Sequence, residues 1–310
     1  MDKKSKLTMS KSKIIVVGSS NTDMVLRTER FPKPGETILG GEFYIFHGGK
    51  GANQAVAAAR AGGDVKFICR VGNDAFGYNA IEHYNRENID TSSIVQDQHA
   101  PTGVAVITVN SEGENSIIVA SGANALLTTK DVLSGIEKAG DYNWIITQLE
   151  SPIQVVVDLA KYTRIKSKNL ILNPAPAAIL PDEVYDGLFL ITPNQTETEL
   201  LTGIKVTDAI SAAQAAEIFK LKGVENTIIT MGSKGAYVSS ESFTGLLESP
   251  KVQAVDTTAA GDIFNGSLVV ALSEDKNWKE AVEFACKAAA VSVTRMGAQI
   301  SAPLRKEIAI

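Results

Sequence analysis

The sequence predicts an α/β fold built on one mostly parallel central sheet, with a small second β-sheet beside it. Three observations lead there. Short apolar, β-branched runs alternate with Ala-rich or amphipathic helical stretches, which is the rhythm of βαβ units. The runs are apolar at nearly every position, as suits strands covered on both faces. Two stretches, 24–46 and 103–120, break the rhythm with extended, turn-rich sequence and read as β insertions.

Taken in order, 13–18 is a β-branched run ended by Gly18, a plausible first strand opening onto a loop. Residues 51–62 read as an Ala-rich helix, 65–71 as a strand and 76–88 as an amphipathic helix. The insertion 24–46 carries Phe31-Pro32-Lys33-Pro34-Gly35 among extended residues, and 103–120 reads as a hairpin turning at Ser111-Glu112-Gly113. Together they form a small sheet that covers a site or pairs with another subunit. Strands at 144–148, 169–172, 188–191 and 227–231 then continue the alternation. In such sheets ligands sit beyond the carboxyl ends of the strands, so the residues just after each run carry the functional reading.

With 44% hydrophobic and 21% charged residues over 310 positions, the chain can bury a large core, and 13–310 is read as one domain. Residues 1–12 are polar and Lys-rich and are expected to be a disordered extension. The net charge of -5, with no clustered Lys/Arg surface, argues against a nucleic-acid partner. No apolar run is long enough to span a bilayer and no secretory signal is present, which points to the cytoplasm and away from membranes. Cys69 and Cys286 lie in apolar segments and read as buried free thiols. His47, His83 and His99 lack ligand spacing, so any metal should be bound by oxygen.

Six segments carry candidate chemistry. In Val255–Gly266, small residues precede an apolar helix, whose free N–H groups and dipole make an anion site. Asp262, in its first turn, is either a cap or a base that accepts a hydroxyl proton; Ala-Ala-Gly before it lets a ligand approach the backbone. In His47-Gly48-Gly49-Lys50-Gly51-Ala52-Asn53-Gln54 the glycines precede a helix, yet the G-x-x-x-x-G-K-[ST] spacing is missing. Gly18-Ser19-Ser20-Asn21-Thr22-Asp23 is a polar turn in which Asn21 and Asp23, two apart, can face the same way. Asn194 and Glu197 have capping-box spacing, and Thr230-Met231-Gly232-Ser233-Lys234-Gly235 is a hairpin or a ligand loop. Glu150, directly after a strand, is either solvated or ligand-facing.

Asp256-Thr257-Thr258-Ala259-Ala260-Gly261-Asp262 resembles the C-terminal signature of the ribokinase family, the carbohydrate kinases of phosphofructokinase-B type. Similar motifs follow in order from Ile14 to Ser301. The resemblance implies a ribokinase-like three-layer sandwich in which residues 24–46 and 103–120 form a lid. It implies ATP-dependent phosphorylation of D-ribose at the primary 5-hydroxyl, with Mg²⁺ and K⁺ as cofactors and a homodimer joined through the lids. A kinase for deoxyribose, another sugar or a nucleoside, or a sugar-binding regulator without catalysis, are the alternatives.

By the same resemblance Asp262 is the catalytic base, with the Ala260 and Gly261 amides as anion hole, and Asn21, Asp23, Gly49, Asn53 and Glu150 hold the sugar. Asn194, Thr230, Gly232, Ser233 and Gly235 approach the nucleotide, and Glu197 orders Mg²⁺ through water. Backbone oxygens around Asp256, Thr258, Ser292, Arg295, Gly297 and Ser301 surround the potassium ion. Cys286, near the adenine region, stands where ribokinases often carry His or Asn.

Overall fold

The computed structural model describes residues 13–308, so the expected extension 1–12 lies outside the described residues. The first apolar run forms β1 (Lys13–Val17), and the chain then turns away into β2 (Asn21–Arg27) and β3 (Glu42–Gly48) before returning as α1 (Lys50–Arg60) and β4 (Asp64–Ile68). Next come β5 (Arg70–Gly72), α2 (Ala75–Arg86), β6 (Val95–Asp97), β7 (Gly103–Val109) and β8 (Asn115–Ala120). The regular α/β portion follows: α3 (Thr129–Glu137), β9 (Trp144–Thr147), α4 (Ile153–Lys166), β10 (Asn169–Leu172), β11 (Leu190–Ile191), α5 (Gln195–Thr202), α6 (Ala209–Leu221) and β12 (Asn226–Thr230). The chain closes with β13 (Ala236–Ser239), β14 (Thr244–Leu247), α7 (Ala260–Ser273), α8 (Trp278–Ser292) and α9 (Arg305–Ile308).

The large sheet has the order β14-β13-β12-β11-β10-β9-β1-β4, parallel from β12 to β4 and antiparallel at the β13 and β14 edge. Successive residues of its strands feed opposite faces, as the two-residue repeat requires. Ile14 and Val16 join the layer with α1, α7 and α8, while Ile15 and Val17 join the layer with α3 and α4. This makes the sheet the middle of three layers. Gly266 lets α7 lie directly on α1, since a Cβ there would stand 2.5 Å from the Gln54 carbonyl oxygen.

The small sheet has the order β3-β2-β7-β8, with β2 and β7 parallel and antiparallel neighbours outside them. It holds most of the predicted insertion 103–120 and the two ends of 24–46, and it begins earlier, at Asn21.

Two strand readings need correction. The run 65–71 is two strands: β4 stays in the large sheet, whereas β5 leaves it to pair with β6. The run 188–191 contributes only Leu190–Ile191. The Gly232–Gly235 turn, with both glycines at positive φ, is a hairpin that returns antiparallel, and the large sheet is mostly parallel as expected. Among the described residues no helix is long and apolar enough to cross a membrane.

Candidate active site

The C-terminal ends of β1, β9, β10, β11 and β12 open on one side of the large sheet, and the first turn of α7 crosses above them. Ala259 enters that helix at φ 59°, a left-handed conformation, and no side chain caps it. The Ala260 amide donates to the Thr257 carbonyl at 3.2 Å, while the Gly261 and Asp262 amides are left to the cleft that Ala259, Ala260, Gly261 and Asp262 line. Such a turn offers partial positive charge to an anion.

Asp262 does not cap the helix. Its carboxylate accepts hydrogen bonds from Asn53 Nδ2 at 2.9 Å (to Oδ2) and from Gln54 Nε2 at 3.0 Å (to Oδ1). Burial pushes this carboxyl upward, Lys50 and the two amides pull against it, and Glu150 adds to the rise. A buried carboxyl whose affinity for a proton is raised, oriented by two amide donors beside one cation, is placed to act as a proton acceptor.

On one side of Asp262 lies the start of β2. Asn21 and Asp23 share a face of the strand, as their spacing predicts. Asn21 Oδ1 accepts from Asn124 Nδ2 at 2.7 Å, and Asn124 also brackets the Ser20 backbone by accepting from its N–H and donating to its carbonyl. The Asp23 carboxylate lies over Gly48, where a Cβ would come within 2.1 Å of Oδ2. Among the described residues nothing donates to that carboxylate. Burial first, then Glu150 and Asp262, push it up to about 7. Glu150 is fixed from the other side, accepting from Ser19 Oγ and from the Lys50 amide at 2.9 Å. Gly49 holds φ 89° at the entry to α1.

On the opposite side stand Asn194, Glu197 and Thr230, which line the same cleft as Asp262. Asn194 and Glu197 do form a capping box: Asn194 Oδ1 accepts from the Glu197 amide and Glu197 Oε2 from the Asn194 amide, each at 2.8 Å. Capping and cleft lining are therefore compatible roles. The box uses one Glu197 oxygen and leaves the other without a partner among the described residues.

Lys50 lies between the two sides. Burial alone would lower its ammonium, but Asp262, Glu150 and Glu197 together hold it above its usual range. One cation among three carboxylates, beside a helix N-terminus, is suited to bring phosphate oxygens close to a proton acceptor.

A family model described as pfkB family carbohydrate kinase matches residues 11–305. The chain belongs to the pfkB family of carbohydrate kinases. It is 45% identical to a ribokinase of Haemophilus influenzae over 294 residues, covering 95% of this chain and 96% of the relative. It is 36% identical to a deoxyribokinase of Salmonella typhi, covering 94% and 95%. A solved structure of Arabidopsis thaliana ribokinase complexed with ribose and ATP superposes with a TM-score of 0.90 at 31% identity, covering 97% of this chain and 98% of that one. The expected ribokinase-like α/β architecture is thereby confirmed.

Against that pfkB framework, the structure gathers Asp262, Ala260, Gly261, Asn194, Glu197 and Thr230 in one cleft and bonds Asn53 to Asp262. Other candidates lie apart from it. Gly232, Ser233 and Gly235 form the turn after Thr230. Cys286 is a buried free thiol on α8, packed in the core and outside the cleft lining. The Asp256 carboxylate accepts from the Thr258 and Gly297 amides, at 2.9 and 2.8 Å, tying the loop before α7 to the loop after α8. The Ser292 and Ser301 hydroxyls are spent on local carbonyls, and the Arg295 guanidinium pairs with Glu307.

Sequence reasoning passed over Lys50, Gln54, Asn124 and Asn173. Lys50 and Gln54 flank Asn53 in a segment already singled out, so the signal was adjacent. Asn124 lies in a 3-10 turn far along the chain and carries no local signal.

Proposed function

We propose that the chain transfers the γ-phosphoryl group of ATP to the 5-hydroxyl of D-ribose, giving ribose 5-phosphate and ADP, with Asp262 as catalytic base. One observation carries this: the buried Asp262 carboxylate, at the uncapped N-terminus of α7, stands between a carboxylate- and amide-lined sugar side and a phosphate side, with Lys50 linking them. The ribokinases among its relatives support ribose as the acceptor.

Asn21, Asp23, Asn53, Glu150 and the Gly49 backbone bind the sugar hydroxyls, which need paired donors and acceptors. The 5-hydroxyl gives its proton to Asp262 as its oxygen attacks phosphorus in line, and ADP leaves. The Ala260 and Gly261 amides and Lys50 stabilise charge on the transferring group. Asn194, Thr230 and the Gly232–Gly235 turn lie along the nucleotide.

Among the described residues no three acidic, His or Cys side chains cluster as a metal cage. That fits Mg²⁺, which keeps most of its waters and takes one carboxylate plus substrate phosphates. Glu197 would hold it through water, and when bound it neutralises charge between phosphate oxygens. The two loops joined by Asp256 are the proposed potassium site, through carbonyls around Asp256, Thr258, Ser292, Arg295, Gly297 and Ser301.

The small sheet acts as a lid that excludes water from the reaction. Phe43, Ile45 and Ile118 share one face of that sheet by register and are exposed on it. A second copy of the chain is the partner that covers it, giving a homodimer.

The test is ADP release with ribose, 2-deoxyribose, fructose and adenosine, with and without potassium, using Asp262→Asn as the blank. Ribose-dependent turnover, lowered about 10²–10⁴-fold in Asp262→Asn, is expected. Preference for another acceptor would overturn ribose while leaving the base. Absence of turnover with every acceptor would leave a sugar-binding regulator.

A further inference from the structure

Beneath Asp262 a chain of buried amides links α1 to the loops that follow β9, β10 and β11, and two of its members, Asn173 and Thr192, reach the cleft wall. Its far end is the Thr192 backbone carbonyl, which can only accept. Asn173 must therefore present Nδ2 to it, at 3.2 Å, which turns Asn173 Oδ1 toward Gln54. Gln54 must then present Nε2, whose two protons go to Asn173 Oδ1 and Asp262 Oδ1, each at 3.0 Å. Its carbonyl Oε1 takes the remaining bond, from Gln148 Nε2 at 2.6 Å.

Gln148 cannot turn over either, because its own Oε1 would then face the Gln54 Oε1 that now accepts from its Nε2. Gln54 and Gln148 are both wholly buried and Asn173 nearly so. No amide in the chain can flip without setting oxygen against oxygen. The polarity of the Gln54 amide is thus decided by a backbone carbonyl two residues removed from the base.

We propose that Gln54 is a positioning residue for phosphoryl transfer: anchored by Gln148 and Asn173, it donates permanently to Asp262 Oδ1 and so fixes which face of the carboxylate receives the hydroxyl proton. The proposal rests on the reading of Asp262 as base. Gln54 is not among the residues lining the cleft, and it acts through Asp262 without touching substrate. A donor bonded to an ionised carboxylate favours the ionised form, so its loss must raise the pH at which the base works.

The test is Gln54→Met, which keeps the volume and removes the donor, measured beside Asp262→Asn. The kcat of Gln54→Met should fall about tenfold or more near neutral pH, with both KM values changed less than about twofold. The acid limb of its kcat–pH profile should move up by about one to two units. A purely structural Gln54 would lower the melting temperature and leave kcat and the acid limb alone, which overturns the proposal. A raised ribose KM at unchanged kcat overturns it as well, by making Gln54 a sugar-pocket residue. If Gln54→Met does not fold, Gln148→Met removes the donor that anchors Gln54 Oε1 and leaves Gln54 itself in place; it should show a smaller shift in the same direction, and no shift would sink the idea. Should Asp262→Asn itself keep turnover, the base assignment falls first and Gln54 with it.

Discussion

Replacing Asp23 by Asn should make the unliganded protein more stable and the enzyme worse. Folding carries the Asp23 carboxyl from 3.8 to about 7, because it is buried over Gly48 beside Glu150 and Asp262 without a donor of its own. A folded value above the unfolded one means that the native state binds the extra proton between those limits. Stability is therefore lost as pH rises through this window. At 1.36 kcal/mol per unit, the ionised side chain costs about 4 kcal/mol at pH 8 and less than half of that at pH 5. Asn has the same shape and no charge to bury, although its own desolvation offsets part of the gain, leaving about 2–3 kcal/mol. For a chain of this size that is a rise in melting temperature of roughly 5 °C at pH 8, shrinking at pH 5. Thermal unfolding of both proteins at the two pH values, with and without ribose, measures it. Ribose should stabilise the wild type far more than the variant, whose ribose KM should rise at least tenfold. A melting-temperature gap that does not change with pH, or a variant less stable at pH 8, would refute burial of an unpaired charge at this site.

Lys50→Met should reduce kcat by about 10²–10³-fold, the scale for losing one charge-stabilising donor, and raise the acid limb of the rate profile because Lys50 helps keep Asp262 ionised; stopped-time assays across pH check both. Ala259→Gly should relieve the left-handed backbone at φ 59° and stabilise the fold by about 1 kcal/mol, read as a melting temperature about 2–4 °C higher. Ile118→Lys, on a side chain 72% exposed in the isolated chain, should leave the melting temperature of the monomer within about 1–2 °C yet dissociate the dimer, as sedimentation would report. A wild type that is monomeric at micromolar concentration would end the lid-pairing proposal.

The alternation of strand and helix was legible because both follow from residue chemistry over a few positions: Ile14 to Val17 cannot face water on either side, and Asn194 with Glu197 closes its own local box. The run of small residues that opens α7 was legible for the same reason, since only small residues admit a ligand to the backbone. What stayed hidden depends on contacts between distant segments. Asn124 reaches Asn21 across 103 positions, and Gln54 reaches Asp262 across 208. No local pattern distinguishes these amides from the many that merely solvate a surface. The break at Cys69 was invisible too, because β4 and β5 are equally apolar and only the separate pairing of β5 with β6 divides them.

Strand β2 has two ends with different surroundings. At its start Asn21 and Asp23 stand among the buried carboxylates; by Leu26 and Arg27 it is an exposed rib of the small sheet, bonded along its length to β3 and β7. A strand so clamped moves as a stiff rod. A rocking of the outer rib by a few degrees therefore displaces the amide and carboxylate at its root, with the Gly18–Ser20 turn as fulcrum. If Asn21 and Asp23 hold the sugar as proposed, the sugar site and its cover share one strand, and a mutation at Leu26 or Arg27 should change the sugar KM from the other end of that strand.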